Sequence, residues 1–479
     1  MTLLEQFKSF KRPFWAANIM EMFERLAYYG VRVVIPIYIA SSEDPHGLHF
    51  THVQKGQIFA WWALFQSLVP MFTGGFADRY GYKKTIGVSI SIKIAGYLLM
   101  ATQREFYPFL GGCLMLATGT AIFKPGIQGT LVQGLNRKNS SVGWGVFYQL
   151  VNLGAFFGPP LAGFLHRLSW PHVFYGCAII VSLNYLMLFA YKEVSSGGGV
   201  TGSPWEVIKL TFKEFMKPSL VIFILIMSGF WLMLNQLWDM LPNFIEDWID
   251  TSKLVETLGL TPGLIVAQTN RGLQINQEWL INLNAGLIVL IMVPVAALTG
   301  KIRRLNSIIL GIALASMGLV MSGYSMSGVF CIMGIVVFSI GEMASSPKMN
   351  EYLGVIAPEG KKALYLGYAN VPLAIGWFYG SIAGGQVYEA RGDKAVLALR
   401  FMREQLGFAP DVMANVPKTE AMAKLVTALG KTHSEVTQIL WSFYTPYKLW
   451  YGFTAVGIAA AAGMIIYSQF AKKWAAVDA

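Results

Sequence analysis

A chain of 479 residues that is 54% hydrophobic and only 13% charged carries about half the charge density of a typical soluble domain. Its mean hydropathy of +0.49 and its 14% aromatic content point to lipid as the surrounding medium. The net charge of +11 does not mark a nucleic-acid binder, because the basic residues are scattered over short loops between apolar segments and form no single basic face. Cys113, Cys177 and Cys331 each lie inside an apolar segment and none is in a CxxC, so neither a disulfide framework nor a zinc site is expected. The sequence has no HExxH, no Gly-x-Ser-x-Gly and no Walker loop, so the chain is not expected to be an enzyme, nor to hold a metal or cofactor.

A membrane-crossing helix needs roughly 20 mostly apolar residues. Twelve segments qualify, near 14–40, 56–77, 84–102, 107–134, 143–165, 172–191, 219–243, 276–300, 304–324, 327–350, 362–388 and 446–470. The first is too long and too charged for a cleaved signal and reads as a retained span. The predicted class is an all-α polytopic membrane protein. It divides into a six-helix bundle over 1–191, a cytoplasmic amphipathic connector over 192–218, and a second six-helix bundle over 219–479 with an outer insertion at about 389–445. The connector is glycine-rich from Ser195 to Ser203 and then basic through Lys209, Lys213 and Lys217, which suits the membrane surface. Residues 244–275 read as a polar outer loop, and the insertion as a helical excursion with one helix around Thr419–Leu429. His46, His49 and His52 repeat every third residue beside Pro45 and Gly47, and are expected in a solvated loop with no bound metal.

Loop charges orient the bundle. Lys8, Lys11, Arg12, Arg79, Lys83, Lys84, Arg137, Lys138, Lys301, Arg303, Arg304, Lys348, Lys361 and Lys362 fall on one side, with Lys55, Arg104 and Arg167 on the other. The excess places both termini in the cytoplasm. The expected location is a plasma membrane, of the bacterial inner-membrane kind, and the expected state is a monomer.

The first span holds the most expensive feature. Glu21, Glu24, Arg25, Tyr28 and Arg32 follow one another at i, i+3, i+4, i+7 and i+11, one stripe of a helix, with Tyr29 at its border. Four charges at mid-membrane cost on the order of 10 kcal/mol if unpaired. They must therefore face an aqueous cavity and find partners. A buried ion pair seldom improves on a hydrophobic replacement for stability, so the stripe indicates function.

Two resemblances follow. The loop Gly74-Gly75-Phe76-Ala77-Asp78-Arg79-Tyr80-Gly81-Tyr82-Lys83-Lys84-Thr85 resembles the signature between the second and third spans of major-facilitator transporters. In it Asp78 is suited to cap a helix end. Thr299-Gly300-Lys301-Ile302-Arg303-Arg304 is a weaker echo at the matching place in the second half, and six plus six spans is that superfamily's layout. Within the superfamily, Glu21-x-x-Glu24-Arg25-x-x-Tyr28-Tyr29-Gly30 resembles the signature of proton-dependent oligopeptide transporters. Phe123-Lys124-Pro125-Gly126, Phe147-Tyr148-x-x-Val151-Asn152-Leu153-Gly154 and Gly341-Glu342-x-x-x-Ser346-Pro347 resemble further stretches of that family.

The resemblance implies a proton-coupled symporter that imports di- or tripeptides or peptide-like molecules by alternating access. A transporter for another zwitterion or organic anion, or a drug exporter, is the alternative. The proton is the only coupling ion or cofactor implied, and the partners are the small substrate, protons and lipid. Glu21, Glu24, Arg25, Lys124, Glu342 and Asp239 are the expected proton-coupling set. Lys124 is expected beside the carboxylates of the stripe, with Glu342 as its second partner across the halves. Tyr28, Tyr29, Arg32, Lys124, Asn152, Asn235, Asn284, Glu342 and Ser346 are the expected substrate set. Arg32 and Lys124 suit an anionic end, and Glu342, Asn284 and Asn152 an amino end or backbone amides. The chain also departs from the family. Asn235 stands where an acid is usual opposite Arg32, and Asp239, one turn further on, is the available substitute. The second span has no tyrosine near Leu68 and no histidine at the family's place, and 192–218 has no room for an extra helix pair.

Overall fold

In the computed structural model, residues 3–136, 139–192, 213–358, 361–409, 412 and 415–475 are described below. Most of the connector expected at 192–218 lies outside them, as do the side chains of Phe76 and Asp78. Twelve long helical segments are seen among the described residues: α1 (Arg12–Ala40), α2 (His52–Tyr80), α3 (Tyr82–Thr102), α4 (Phe106–Gln133), α5 (Ser140–His166), α6 (Trp170–Phe189), α7 (Pro218–Asp239), α8 (Gln277–Thr299), α9 (Arg304–Tyr324), α10 (Gly328–Ile356), α11 (Lys362–Gly367 continuing as Asn370–Arg391) and α12 (Leu449–Ala475). Eight of these regions are long and apolar enough to cross a membrane; the remaining four are α1, α2, α5 and α11. All four line the central cavity described below, so part of their surface meets water and not lipid.

Local chemistry accounts for the element ends. α2 begins at His52 because Thr51 and Gln54 form a capping box, each side chain taking the other's orphan backbone N–H. It stops at Gly81, whose φ of +94° few other residues tolerate. α7 is interrupted at Asn235 and again at Met240, before the short helix Leu241–Trp248 that starts with Pro242 in its first turn. Asn235 fills part of the break itself, its Nδ2 donating to the Trp231 carbonyl at 2.7 Å.

Each half buries its own core. Phe14, Trp62, Tyr97, Phe109 and Trp170 belong to the first, and Phe223, Phe230, Ile308, Phe338 and Trp450 to the second. Val33 of the first half joins the second core and Trp377 of the second half joins the first, so the halves interlock where α1 meets α7 and α2 meets α11. The hydrogen bonds across the seam lie toward the end of the bundle that carries residues 41–51, 244–275 and 389–445, here called the insertion end. There Asn243 Nδ2 donates to the Pro36 carbonyl at 3.1 Å, and Asn282 Nδ2 donates to the Phe156 carbonyl at 2.8 Å. The opposite end, here called the terminal end, carries the start of α1 and the end of α12.

Residues 244–275 are more ordered than a polar loop. They hold the short helix Ser252–Thr257 and an antiparallel hairpin, β1 (Val266–Thr269) and β2 (Gly272–Ile275), whose turn ends on Gly272 at φ +92°. The insertion forms helices Lys394–Glu404, Lys418–Leu429 and His433–Tyr444. His52, expected in a solvated loop, is buried in the first turn of α2 against the Tyr388 ring and 3.7 Å from Asp393. The capping box starts the helix four residues earlier than the apolar run does, and this carries His52 and Lys55 inside.

The insertion clasps the first half. Glu43, in the α1–α2 loop, pairs with Lys394, whose side chain is 0% exposed, and lies 3.7 Å from His433. The His52 backbone N–H donates to Glu389 at 2.7 Å. Burial pushes the Glu43 carboxyl up, but the Lys394 ammonium more than offsets it and holds the group below its ordinary value of 4.5. Replacing Glu43 with glutamine strands a buried ammonium and is expected to cost about 3 kcal/mol. The check is thermal unfolding of the detergent-solubilised protein. Because the folded-state pKa of Glu43 is depressed, its contribution is complete above the ordinary carboxylate value and fades as pH falls through the lower one. The difference between wild type and Glu43→Gln should therefore shrink in acid; a constant gap from neutral pH down through that range contradicts the clasp.

Candidate functional site

The charged stripe of α1 faces a cavity between the halves. A volume of about 260 Å³ is lined by Arg25, Tyr28, Tyr29 and Arg32 of α1, with Gln66, Asn152, Asn235, Asn284, Glu342 and Trp377 from other helices. A second volume of about 280 Å³ shares Arg25, Tyr29, Gln66 and Leu373 with it and reaches Glu21, Lys124 and Tyr148.

At the insertion end the cavity is closed by a buried pair. Arg32 Nη2 bonds Asp239 Oδ1, and the two residues are 4% and 2% exposed. Asp239 Oδ2 accepts from Ser381 Oγ at 2.6 Å and from Trp377 Nε1 at 3.2 Å. The Arg32 guanidinium carbon also lies 4.7 Å from the Phe59 ring centroid and 5.1 Å from that of Trp377. Asp239 thus stands opposite Arg32 as the sequence allowed, brought there by the break in α7. Beside it lies a cation that sequence reasoning had assigned to an outer loop. Lys55 is 1% exposed, and its Nζ donates to the Asp239 carbonyl at 2.8 Å and to Asn243 Oδ1 at 2.6 Å.

At the other end of the stripe, Arg25 bridges both acids. Its Nε donates to Glu21 Oε1 at 2.9 Å, and its Nη2 is 3.0 Å from Glu24 Oε2. Lys124, the partner expected from α4, lines the lower cavity together with Glu21 but does not bond either acid directly. Lys124 is exposed to the cavity and makes no ion pair or hydrogen bond among the described residues. The cation against Glu24 is instead Lys93 of α3, 0% exposed and 3.4 Å from Glu24 Oε1, which also accepts from Thr120 Oγ1 at 3.1 Å. Glu342 does not meet Lys124 either. It accepts from Asn284 Nδ2 at 2.9 Å, and the same Nδ2 lies 3.0 Å from Ser339 Oγ. The reason is geometric: Glu342 and Asn284 belong to neighbouring helices of the second half, whereas Lys124 sits in the first half beside the lower cavity.

The remaining predicted residues divide. Tyr28 and Tyr29 stack edge to face with centroids 5.3 Å apart and line the cavity. Asn152 and Asn235 line it too, but each spends its Nδ2 on a carbonyl four residues back, Tyr148 and Trp231 respectively. Ser346 is partly buried and is not among the cavity-lining residues; its Oγ has no hydrogen-bond partner. Gln66 was missed. It takes the place near Leu68 where no tyrosine is available, and its Oε1 accepts from Trp62 Nε1 at 2.8 Å. No group of histidine, cysteine and carboxylate side chains among the described residues has the arrangement of a metal site.

Two bundles of six helices around a central cavity, with broken and proline-bearing helices at its wall, define a transporter of the alternating-access type. The family model of the Major Facilitator Superfamily matches residues 18–381, and the chain belongs to that superfamily. Among curated relatives it is 24% identical over 337 residues to the multidrug resistance protein MdtH of Edwardsiella ictaluri, covering 68% of this chain and 75% of that one. It is 28% identical over 185 residues, 37% of each chain, to the uncharacterized transporter YclF of Bacillus subtilis. Among solved structures, a mutant of the peptide transporter POT in complex with alafosfalin superposes with a TM-score of 0.68 at 15% identity, over 97% of this chain and 95% of that one. A POT family transporter in complex with 5-aminolevulinic acid gives 0.62 at 16% identity, over 91% and 96%. These establish the shared fold.

Proposed function

We propose that this chain is a proton-coupled symporter of the oligopeptide-transporter branch, importing di- or tripeptides or peptide-like zwitterions. The observation that carries the reading is one cavity with charges of both signs on opposite walls. Arg25 and Arg32 of the first half share a volume with Glu342 and Asn284 of the second, and Lys124 of the first half lines the adjoining lower volume. A short zwitterion has an anionic and a cationic end to match, and Arg32 is built to grip a carboxylate. Next to the substrate space lies the Glu21–Arg25–Glu24 group, which supplies carboxylates for the coupling proton. The proposal includes no cofactor besides that proton and no broken bond in the substrate, with the monomer as the working unit.

With both termini in the cytoplasm of a bacterial inner membrane, the insertion end faces outward. The Arg32–Asp239 pair then closes the outer gate, and the cavity reaching Lys124 opens inward. Peptide leaves inward with that pair still closed, and resetting toward the outside would require it to part.

Uptake of a labelled dipeptide into proteoliposomes tests the reading. An inward proton gradient should drive accumulation, and collapsing it with a protonophore should stop accumulation while leaving counterflow. Uptake indifferent to the gradient sinks proton coupling. The name of the MdtH relatives favours a second reading, drug export. Gradient-driven extrusion of a cationic dye that no dipeptide inhibits would select it.

A further inference from the structure

Lys93 is a charge that the resemblance to peptide transporters does not call for. It lies in α3, Tyr82–Thr102, with Thr102 nine residues on, about 14 Å along the helix. That is too far for its head to snorkel to either surface. Its Nζ makes no hydrogen bond of good geometry. It lies 3.4 Å from Glu24 Oε1 and 3.6 Å from the Phe123 ring centroid. The helix opposite is cut to receive it: a Cβ on Gly119 would collide with the Lys93 Cγ, and Ser89 Oγ ties the two helices there by donating to the Gly119 carbonyl at 2.7 Å. A lysine this deep is costly unless it answers a charge.

The charge count shows which one. Glu21, Glu24, Arg25 and Lys93 sum to zero without Lys124. The two acids are not equivalent within this group. Glu24 is 1% exposed, with Lys93 and Thr120 on one oxygen and Arg25 near the other. Glu21 lines the lower cavity and holds a single bond, from the Arg25 Nε. The other titratable groups around the cluster are Tyr28 and Tyr29 of α1, Tyr97 of α3 and Lys124 of α4.

We propose that Lys93 is the resident counter-ion of Glu24, and that Glu21 is therefore the carboxylate of α1 that exchanges the coupling proton with the cavity. The inference rests on the proton-coupled reading above and deepens it. A proton from cavity water adds to the Glu21 carboxylate and ends its charge attraction to Arg25. Arg25 stays with Glu24, Lys93 keeps its own proton, and release of the Glu21 proton to the opposite side restores the pair. Lys93 is a positioning residue: it touches neither substrate nor the moving proton.

Four variants in proteoliposomes test this, each read by gradient-driven uptake, counterflow and thermal stability. Glu21→Gln is expected to lose driven uptake and keep counterflow. Lys93→Gln is expected to lower stability and driven uptake, by about tenfold or more, because Glu24 then draws on Arg25 alone. Lys93→Arg should recover most of both. The double variant Lys93→Gln/Glu24→Gln removes a neutral pair, so it should recover most of the thermal stability that Lys93→Gln loses, the non-additivity expected of contacting partners. The proposal is overturned if the double variant is no more stable than Lys93→Gln, if Glu21→Gln keeps driven uptake, or if Lys93→Gln equals wild type in every readout. Should wild type itself ignore the gradient, the functional reading fails; Lys93 as counter-ion is then judged by stability alone, on whether the double variant recovers what the single loses.

Discussion

Replacing Asp239 with asparagine is expected to reduce dipeptide uptake by about a hundredfold or more. The substitution keeps shape and leaves Ser381 and Trp377 a neutral acceptor, but it strands the Arg32 guanidinium, 4% exposed, without an anion. Breaking a buried pair from one side costs about 3–5 kcal/mol, and each 1.4 kcal/mol is a factor of about ten in an equilibrium. Lys55 deepens the loss, because it brings a second buried cation to the same helix break. In the proposed cycle the pair forms only while the insertion end is closed, so that state loses the energy. Initial uptake rates give the first check. A cysteine placed at Gln66 gives the second, through labelling by an impermeant thiol reagent from the insertion side, which should increase. The native Cys113, Cys177 and Cys331 are all buried, which keeps the background low. Uptake within about threefold of wild type would show that Asp239 is not the anion Arg32 depends on.

Adding side chains between α2 and α11 should produce the same trapped state by sterics alone. A Cβ on Gly385 would strike the His52 carbonyl, and one on Gly56 would strike the Ser381 carbonyl; both obstacles are backbone, which cannot rotate away. These contacts join the two halves and belong to neither core. Gly385→Val should therefore fold, with each half packed as before, yet fail to close at the insertion end. Overpacking a tight site costs about 1–3 kcal/mol even where side chains can yield, so transport should fall at least about tenfold. Gly452 is the control, since a Cβ there meets nothing within 4 Å. Gly452→Ala should transport normally, with a helix slightly stabilised by the better helix former. The decisive comparison is thermal stability against uptake. If Gly385→Val loses neither, the α2–α11 contact does not have to be this close for the cycle to run.

Much of the molecule was legible because it follows from local pattern. The twelve spans come from runs of apolar residues, and the stripe on α1 from helical spacing within one segment. Asp239 was reachable because it lies one turn beyond Asn235. Two signals were present and passed over. Thr51 and Gln54 form the T-x-x-Q box that starts α2 at His52, and it would have placed Lys55 inside the helix. Lys93 sits too far from either end of α3 to reach water, a distance readable from the span boundaries alone.

Ion-pair partners were another matter. Which cation meets Glu24 depends on which helix lies beside α1 at that depth, and α3 and α4 each offer a lysine. Only the packing of α3 on α4, with Gly119 making room, selects Lys93 and leaves Lys124 in the cavity. The pairing of Glu342 with Asn284 likewise needs α8 and α10 side by side. Sequence by itself determined the spans, their membrane setting and the presence of a costly charged stripe, because each is a property of one segment at a time. Tertiary structure alone decided how those charges are satisfied, because a buried charge is stabilised by whatever neighbour the fold brings within a few ångströms, however distant in the chain.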